Sequence, residues 1–283
     1  MREPGKIFRA ISSSISLLLV AAWMLCCIAT GAGAQEQPAG SIRKGTSAEL
    51  TLDAAFKPLP GSYYYDVYLN GVRIGKATTE VKRAGNQFNL QFAAKIRGII
   101  GSFYTIKYRV QVAMTADPIQ PVHVVIEEQT GSKNKTIVME FPEPNRVTAV
   151  QLEAKDGKKP KRTEKDFTSA SFVLDPFSTA VLLRSLKWQI GATEIFDIFT
   201  GRKEYELKLF CRGETKLEID GRMRDAWEIV LQTRSLKEPR EIKLSGFVIC
   251  LAKDSSREIL EITGSSKYGR IGIYMRKYDG LSE

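Results

Sequence analysis

One histidine, His123, is all that 283 residues contain. That scarcity excludes a histidine pair, a multi-histidine metal site and an H-E-x-x-H zinc helix. Cysteine is scarce too: Cys26, Cys27, Cys211 and Cys250, none in C-x-x-C spacing, so neither a thiolate zinc site nor a dithiol redox motif is written here. There is no G-x-S-x-G elbow, Walker A loop, G-x-G-x-x-G fingerprint or EF-hand loop, which removes the commonest signatures of hydrolases, nucleotide binders and calcium sensors. Beyond Ile28 no run approaches the roughly 20 apolar residues of a membrane span. What is present still describes a folded protein, since 43% hydrophobic and 26% charged residues exclude wholesale disorder.

The first 34 residues read as an address. Arg2, Lys6 and Arg9 make a positive start, Ile15 to Ile28 is a short apolar run, and Ala32-Gly33-Ala34 precedes Gln35. That order is the pattern of a cleavable secretory signal, with a retained N-terminal anchor as the alternative. A lipid-attachment reading through Cys26 or Cys27 fits less well, because Met24 and Leu25 stand where small residues belong. The expected product is exported to the periplasm with no membrane span in its mature chain. The polar stretch 35–60 reads as a flexible lead-in, and 61–283 as a single β-rich domain.

Export changes what the charge means. The formal net charge is +10, and the first 34 residues carry +2 of it, leaving +8. Outside the cytoplasm the available polyanions are lipid headgroups and envelope polymers, to which the same Coulomb attraction applies. Nucleic acid is not an expected partner. In an oxidising compartment the two remaining cysteines, Cys211 and Cys250, are expected to pair as a disulfide. Closing a loop of about 40 residues contributes about 4 kcal/mol in the chain-entropy model.

Strict alternation dominates the remainder. Tyr65, Val67 and Leu69 face one way and Asp66 and Asn70 the other. Phe88-Leu90-Phe92, Tyr104 to Val112, Ile137-Met139-Phe141, Tyr205-Leu207-Leu209, Trp227-Ile229-Leu231, Phe247-Ile249-Leu251 and Ile271-Ile273-Met275 repeat the pattern. Period two marks strands with one buried face. Breakers such as Asn70-Gly71, Gly85-Asn86, Asp117-Pro118 and Pro142-Glu-Pro144 separate them, as in antiparallel structure. One segment differs. Asp175-Pro176 opens Phe177 to Lys187 with an N-cap carboxylate and a first-turn proline, predicting a helix. Its apolar residues spread widely around it, so it must pack into something. So many strands do not lie in one flat layer, and the expected architecture is mainly β: a strongly curved antiparallel sheet, a β-spiral or open barrel, around one central helix.

Lys155 to Lys165 is strongly basic with Gly157 and Pro160 to break it, and reads as a solvated hairpin tip or linker, or as a contact patch for an anionic surface. His123 lies on a strand, and the carboxylates Asp197, Asp220, Asp225 and Asp254 show no spacing that pairs them. No catalytic residue, metal ligand or cofactor is assigned.

Three constellations remain: Tyr65-x-Val67-x-x-x-Gly71-x-x-x-Gly75, Asp175-Pro176-x-Ser178 with Arg184 closing the helix, and Asp254-x-x-Arg257 ahead of Leu260, Ile262 and Gly264. In this order they resemble the exported bacterial family called domain of unknown function 3108, over roughly residues 62 to 279. A tryptophan common in that family before the late D-x-x-R is replaced here by Cys250-Leu251-Ala252. The resemblance implies no activity. More distantly, the pattern is similar to periplasmic envelope-integrity β-spiral proteins and to lipoprotein carriers with open half-barrels, an analogy of fold.

Two functions are expected from this. One is a non-enzymatic envelope protein that supports envelope integrity by binding a lipid or other hydrophobic component, with Tyr63, Tyr64, Tyr68, Phe103, Tyr104 and Tyr108 as lining residues. The other is a docking module for envelope proteins, working through a sheet edge or the basic stretch without any small ligand.

Overall fold

Two tight turns set the frame. At Asn70-Gly71 the φ values are 49° and 79°, and at Asp220-Gly221 they are 52° and 72°. Such left-handed pairs match the twist of flanking strands, and Asn, Asp and Gly enter them most easily. In the computed structural model, which describes residues 56, 59–97, 105–237, 242–266 and 269–280, the first turn joins β1 (Gly61–Leu69) to β2 (Val72–Ala84). Then follow β3 (Gln87–Arg97), β4 (Thr105–Ala116), β5 (Ile119–Thr130), β6 (Lys133–Glu143), β7 (Arg146–Lys155) and β8 (Lys158–Thr168). After the short β9 (Val173–Leu174) comes the helix α1 (Pro176–Ser185). The chain returns to strands with β10 (Thr193–Phe199), β11 (Glu204–Ile219), β12 (Arg222–Ser235), β13 (Ile242–Ala252), β14 (Ile259–Ser266) and β15 (Gly269–Gly280).

All fifteen strands belong to one sheet, which runs from β8 down to β1, crosses to β15, and continues down to β9. Neighbours pair antiparallel except β9 and β10. The closing pair β1–β15 joins the start of the described strands to their end, with Val67 opposite Ile273. Twist accumulates across so wide a sheet and curls it. The edges β8 and β9 are consecutive in the chain and come close without pairing. Val173 N–H donates to the Pro144 carbonyl and Ser169 N–H to that of Asn145, each at 2.8 Å. Phe167 of β8 stacks on Phe199 of β10 with centroids 5.8 Å apart. The result is the nearly closed, barrel-like sheet that the alternation predicts, around the one helix of the described residues.

Helix α1 fills the inside, and all ten of its residues are buried. Asp175 caps it as expected, accepting from Phe177 N–H at 2.8 Å and Ser178 N–H at 3.2 Å, and from the Ser178 hydroxyl. An N-cap of this kind contributes about 1 kcal/mol. At the other end Trp188 Nε1–H donates to the Leu183 carbonyl at 2.7 Å, occupying an acceptor that a helix end leaves open.

The basic stretch is corrected by the structure. Only Asp156-Gly157 is a turn; Lys158 onward is strand β8, an edge of the sheet paired with β7 alone. Few of its side chains meet a core, so it lacks the apolar alternation by which strands are read.

The two cysteines are corrected as well. Cys211 and Cys250 are both buried free thiols, on β11 and β13, with β12 between them. Strands lie about 4.8 Å apart, so the two backbones are separated by about twice that, beyond the reach of a disulfide. Cys211 stands opposite Ile229 and Cys250 opposite Glu228; consecutive β12 residues face opposite sides, so the two thiols do too. Burial pushes the Cys211 thiol upward and that of Cys250 up to about 12. The expected signal segment 1–34, and the lead-in except Phe56, Leu59 and Pro60, lie outside the described residues.

Candidate functional site

The second and third constellations are far apart in sequence and meet in space, with Tyr65 of the first nearby. Arg184, in the last turn of α1, reaches across to the loop between β13 and β14. Its Nε donates to the Arg257 carbonyl at 2.8 Å and its Nη2 to that of Ser256 at 2.9 Å. That loop is shaped by Asp254, which accepts from Ser256 N–H at 3.0 Å and from the Ser256 hydroxyl at 2.5 Å. Arg224 of β12 braces it from outside, at 2.5 Å from Asp254 and 2.8 Å from the buried Glu258. Burial pushes the Asp254 carboxyl up, but the Ser256 and Arg224 hydrogen bonds outweigh it and hold the group below its ordinary range. The guanidinium of Arg184 also lies against two aromatic faces, 5.6 Å from the Tyr63 centroid and 5.8 Å from that of Phe56. A buried cation is thus held by two carbonyl oxygens and two rings, an arrangement that desolvation makes stronger.

Beside this clamp, the inner faces of β1 to β4 and the facing side of α1 leave a partly open crevice. Tyr63 and Tyr65, Thr79 and Val81, Leu90 and Phe92, and Val110 and Val112 line it in pairs from successive strands. Phe177, Ala180, Val181 and Arg184 line it from the helix, and Ile259 from β14. Phe177 packs against Phe92 at 5.6 Å and Tyr108 at 6.4 Å between centroids. The room is narrow, about 30 Å³ for water-sized occupants, enough for about two waters. Burial dominates the titration of Tyr63 and Tyr65 and pushes both phenols up, against the lowering pull of Arg184.

Thr79 is the exception in this wall. The cross-strand register places it in one row with Tyr278, Tyr63, Phe92, Val110 and Ile126. Among the described residues its buried hydroxyl has no hydrogen-bond partner. An unsatisfied buried hydroxyl costs about 1–3 kcal/mol, so this side chain weakens the fold where a valine would not.

Of the expected lining residues, Tyr63 and Tyr108 are buried and face inward. Tyr64 and Tyr68 alternate with the buried residues of β1 and point to the other face; there Tyr68 meets Tyr274 edge-on at 5.5 Å. Phe103 and Tyr104 lie outside the described residues. Sequence reasoning missed Tyr65 and Thr79 as lining residues. The signal available for Thr79 was its parity with Ala77 and Val81 on one strand. Gly75 of the first constellation is explained by close approach, since a Cβ there would lie 2.5 Å from the Lys95 carbonyl oxygen. Gly264 of the third sits under the Phe247 ring, 2.4 Å from where a Cβ would be.

The other chemistry-bearing residues are elsewhere. His123 is on the outer face of β5, with Nδ1 2.7 Å from Glu140. Asp197 is buried on β10, accepting from the Ser169 hydroxyl at 2.5 Å. Asp220 forms the β11–β12 turn, and Asp225 faces Lys216 at 3.6 Å.

The family model described as Protein of unknown function (DUF3108) matches residues 64–276. Comparison with curated proteins finds no match. A solved β-barrel-like protein of domain of unknown function DUF1849 from Brucella abortus is similar in fold, with TM-score 0.54 and 11% identity, covering 80% of this chain and all of that one. A protein named as a lipoprotein from Parabacteroides distasonis aligns over 81% of this chain and 99% of its own, with TM-score 0.32 and 8% identity. The chain belongs to the DUF3108 family.

Proposed function

We propose that this DUF3108 family member is an exported, non-enzymatic protein of the cell envelope that supports envelope integrity by binding a slender amphiphile between α1 and strands β1 to β4. The observation that carries the reading is Thr79, whose buried hydroxyl has no partner among the described residues, in a wall that is apolar apart from it, two tyrosines and Arg184. A ligand with an apolar chain and one hydrogen-bonding group would satisfy it, and the Arg184 charge at the same crevice favours an anionic head. The secretory pattern of residues 1–34 and the net charge of +8 on the rest of the chain, +10 less the +2 of that segment, support an envelope location facing anionic lipids and polymers. The crevice admits only the end of a chain as it stands, so binding shifts α1 side chains to widen it.

A second reading is docking to envelope proteins with no small ligand. It is favoured by the same narrowness, because α1 already occupies the space that a lipid carrier keeps open. Mass spectrometry of organic extracts separates the two. The protein, purified gently from its own envelope, is expected to carry one amphiphile in stoichiometric amount, absent from an equally basic control. A protein that is empty on extraction and takes up no amphiphile when mixed with envelope lipids contradicts the binding reading and leaves docking.

A further inference from the structure

The edge strand β8 carries Lys158, Lys159, Lys161, Arg162 and Lys165 in eleven residues. Its two acids are engaged, Glu164 with Arg162 at 2.8 Å and Asp166 with Arg146 at 2.7 Å. None of its four lysines forms an ion pair among the described residues. The β11–β12 hairpin treats its charges differently: Arg212 pairs with Glu228, Lys216 with Asp225, and Arg224 with Asp254 and Glu258. Near the β7–β8 turn Lys133, Lys155 and Lys158 stand directly opposite one another on β6, β7 and β8, and of the three Lys133 is paired, with Glu153 at 3.2 Å. Like charges in cross-strand register destabilise a sheet.

From this we infer that β8 is a docking edge for an extended acidic polypeptide segment, which adds to the sheet as one further strand. The inference rests on the docking reading and gives it a surface. β8 pairs with β7 alone, so its outer side presents the N–H and C=O groups that strand addition uses. Alternation places Lys161 and Lys165 on the inward-facing side and Arg162 on the other, while Lys158, beyond a register shift, stands in the row of Lys155 and Lys133. Cationic residues on both faces suit a partner strand, whose own side chains alternate between the faces. A flat anionic membrane meets one face. Lysines and a proline on an edge also repel another copy of the same edge; the charges that exclude a second β8 select an acidic strand.

The test uses the purified protein and an eleven-residue peptide of Glu and Thr, with Gln in place of Glu as control, followed by hydrogen exchange. The acidic peptide is expected to slow exchange of β8 amides at least tenfold, with binding that weakens as salt rises. Replacing Lys159, Lys161 and Lys165 by Glu is expected to weaken binding at least tenfold; replacing them by Gln, which keeps the exposed strand uncharged at those positions, gives an intermediate loss. Equal binding of the Gln peptide, or binding of phosphatidylglycerol vesicles with no peptide binding, overturns the proposal. Peptide binding that protects other strands and leaves β8 unprotected overturns the assignment to β8 while the docking reading stands.

Discussion

Strand β1 runs through the middle of the ladder and β8 ends it, and the two are built on opposite terms. Every second residue of β1 from Gly61 to Leu69 is buried, because α1 and the far wall stand behind it. β8 has no residue that is fully buried and only one neighbour to pair with. One sheet therefore holds a committed region, where each side chain is fixed by packing, and an open one, where charge decides what may approach. Buried alternation in β1 is a record of the core, and lysines in β8 are a record of what the edge meets.

The thiols give the widest margin for testing the committed region. With the Cys250 thiol pushed from 9.0 to about 12 by burial, the thiolate at pH 8 is about a thousandfold scarcer than in the unfolded chain. Alkylation of Cys250 is expected to be slowed by about that factor in the native protein and alkylation of Cys211 to be slowed as well, with both thiols reacting once denatured without reductant. The same displacement sets a pH dependence. Between about 9 and 12 the unfolded chain has lost this proton and the native one still holds it, so stability is unaffected below that window and falls as pH rises through it. Urea titrations at pH 8 and pH 10.5 check the sign.

Next in size is the clamp. Arg184→Ala removes the donors to the Ser256 and Arg257 carbonyls and is expected to lower stability by about 3 kcal/mol, with Arg184→Lys recovering only part because it lacks the planar fork. Equilibrium denaturation measures both. A smaller effect of opposite sign is expected at Thr79. Thr79→Val removes an unsatisfied hydroxyl and is expected to raise stability by about 1 kcal/mol while reducing the amphiphile recovered on extraction. A gain in stability with unchanged ligand content would separate Thr79 from binding. Smallest is the open region: exchanging the β8 lysines for Gln is expected to move stability by no more than about 0.5 kcal/mol, since they touch no core.

How far the sequence could be read follows the same division. Strands with a one-sided core declared themselves, as did the capped helix at Asp175-Pro176, because period two and a first-turn proline are direct consequences of geometry. β10 was silent for the opposite reason to β8: Ile195 to Phe199 is buried throughout, so no alternation exists to find. Of the candidate site, Tyr63 and Tyr108 were legible as inward-facing aromatics. Tyr64 and Tyr68 were misplaced by grouping aromatics without their parity. Convergence of Arg184 with the Asp254–Arg257 loop depends on how the helix lies against the sheet, which no local pattern encodes. The cysteine pairing failed because compartment and composition say nothing of the strand β12 that stands between the two.

The difference between core and edge is most directly tested by hydrogen exchange followed peptide by peptide. Amides of residues 177–185 are expected to exchange only as the whole molecule unfolds, at least a hundredfold slower than those of Lys158–Thr168. Equal rates in the two segments would mean that α1 is not lodged inside the sheet, and would contradict the crevice, the clamp and the division built on them.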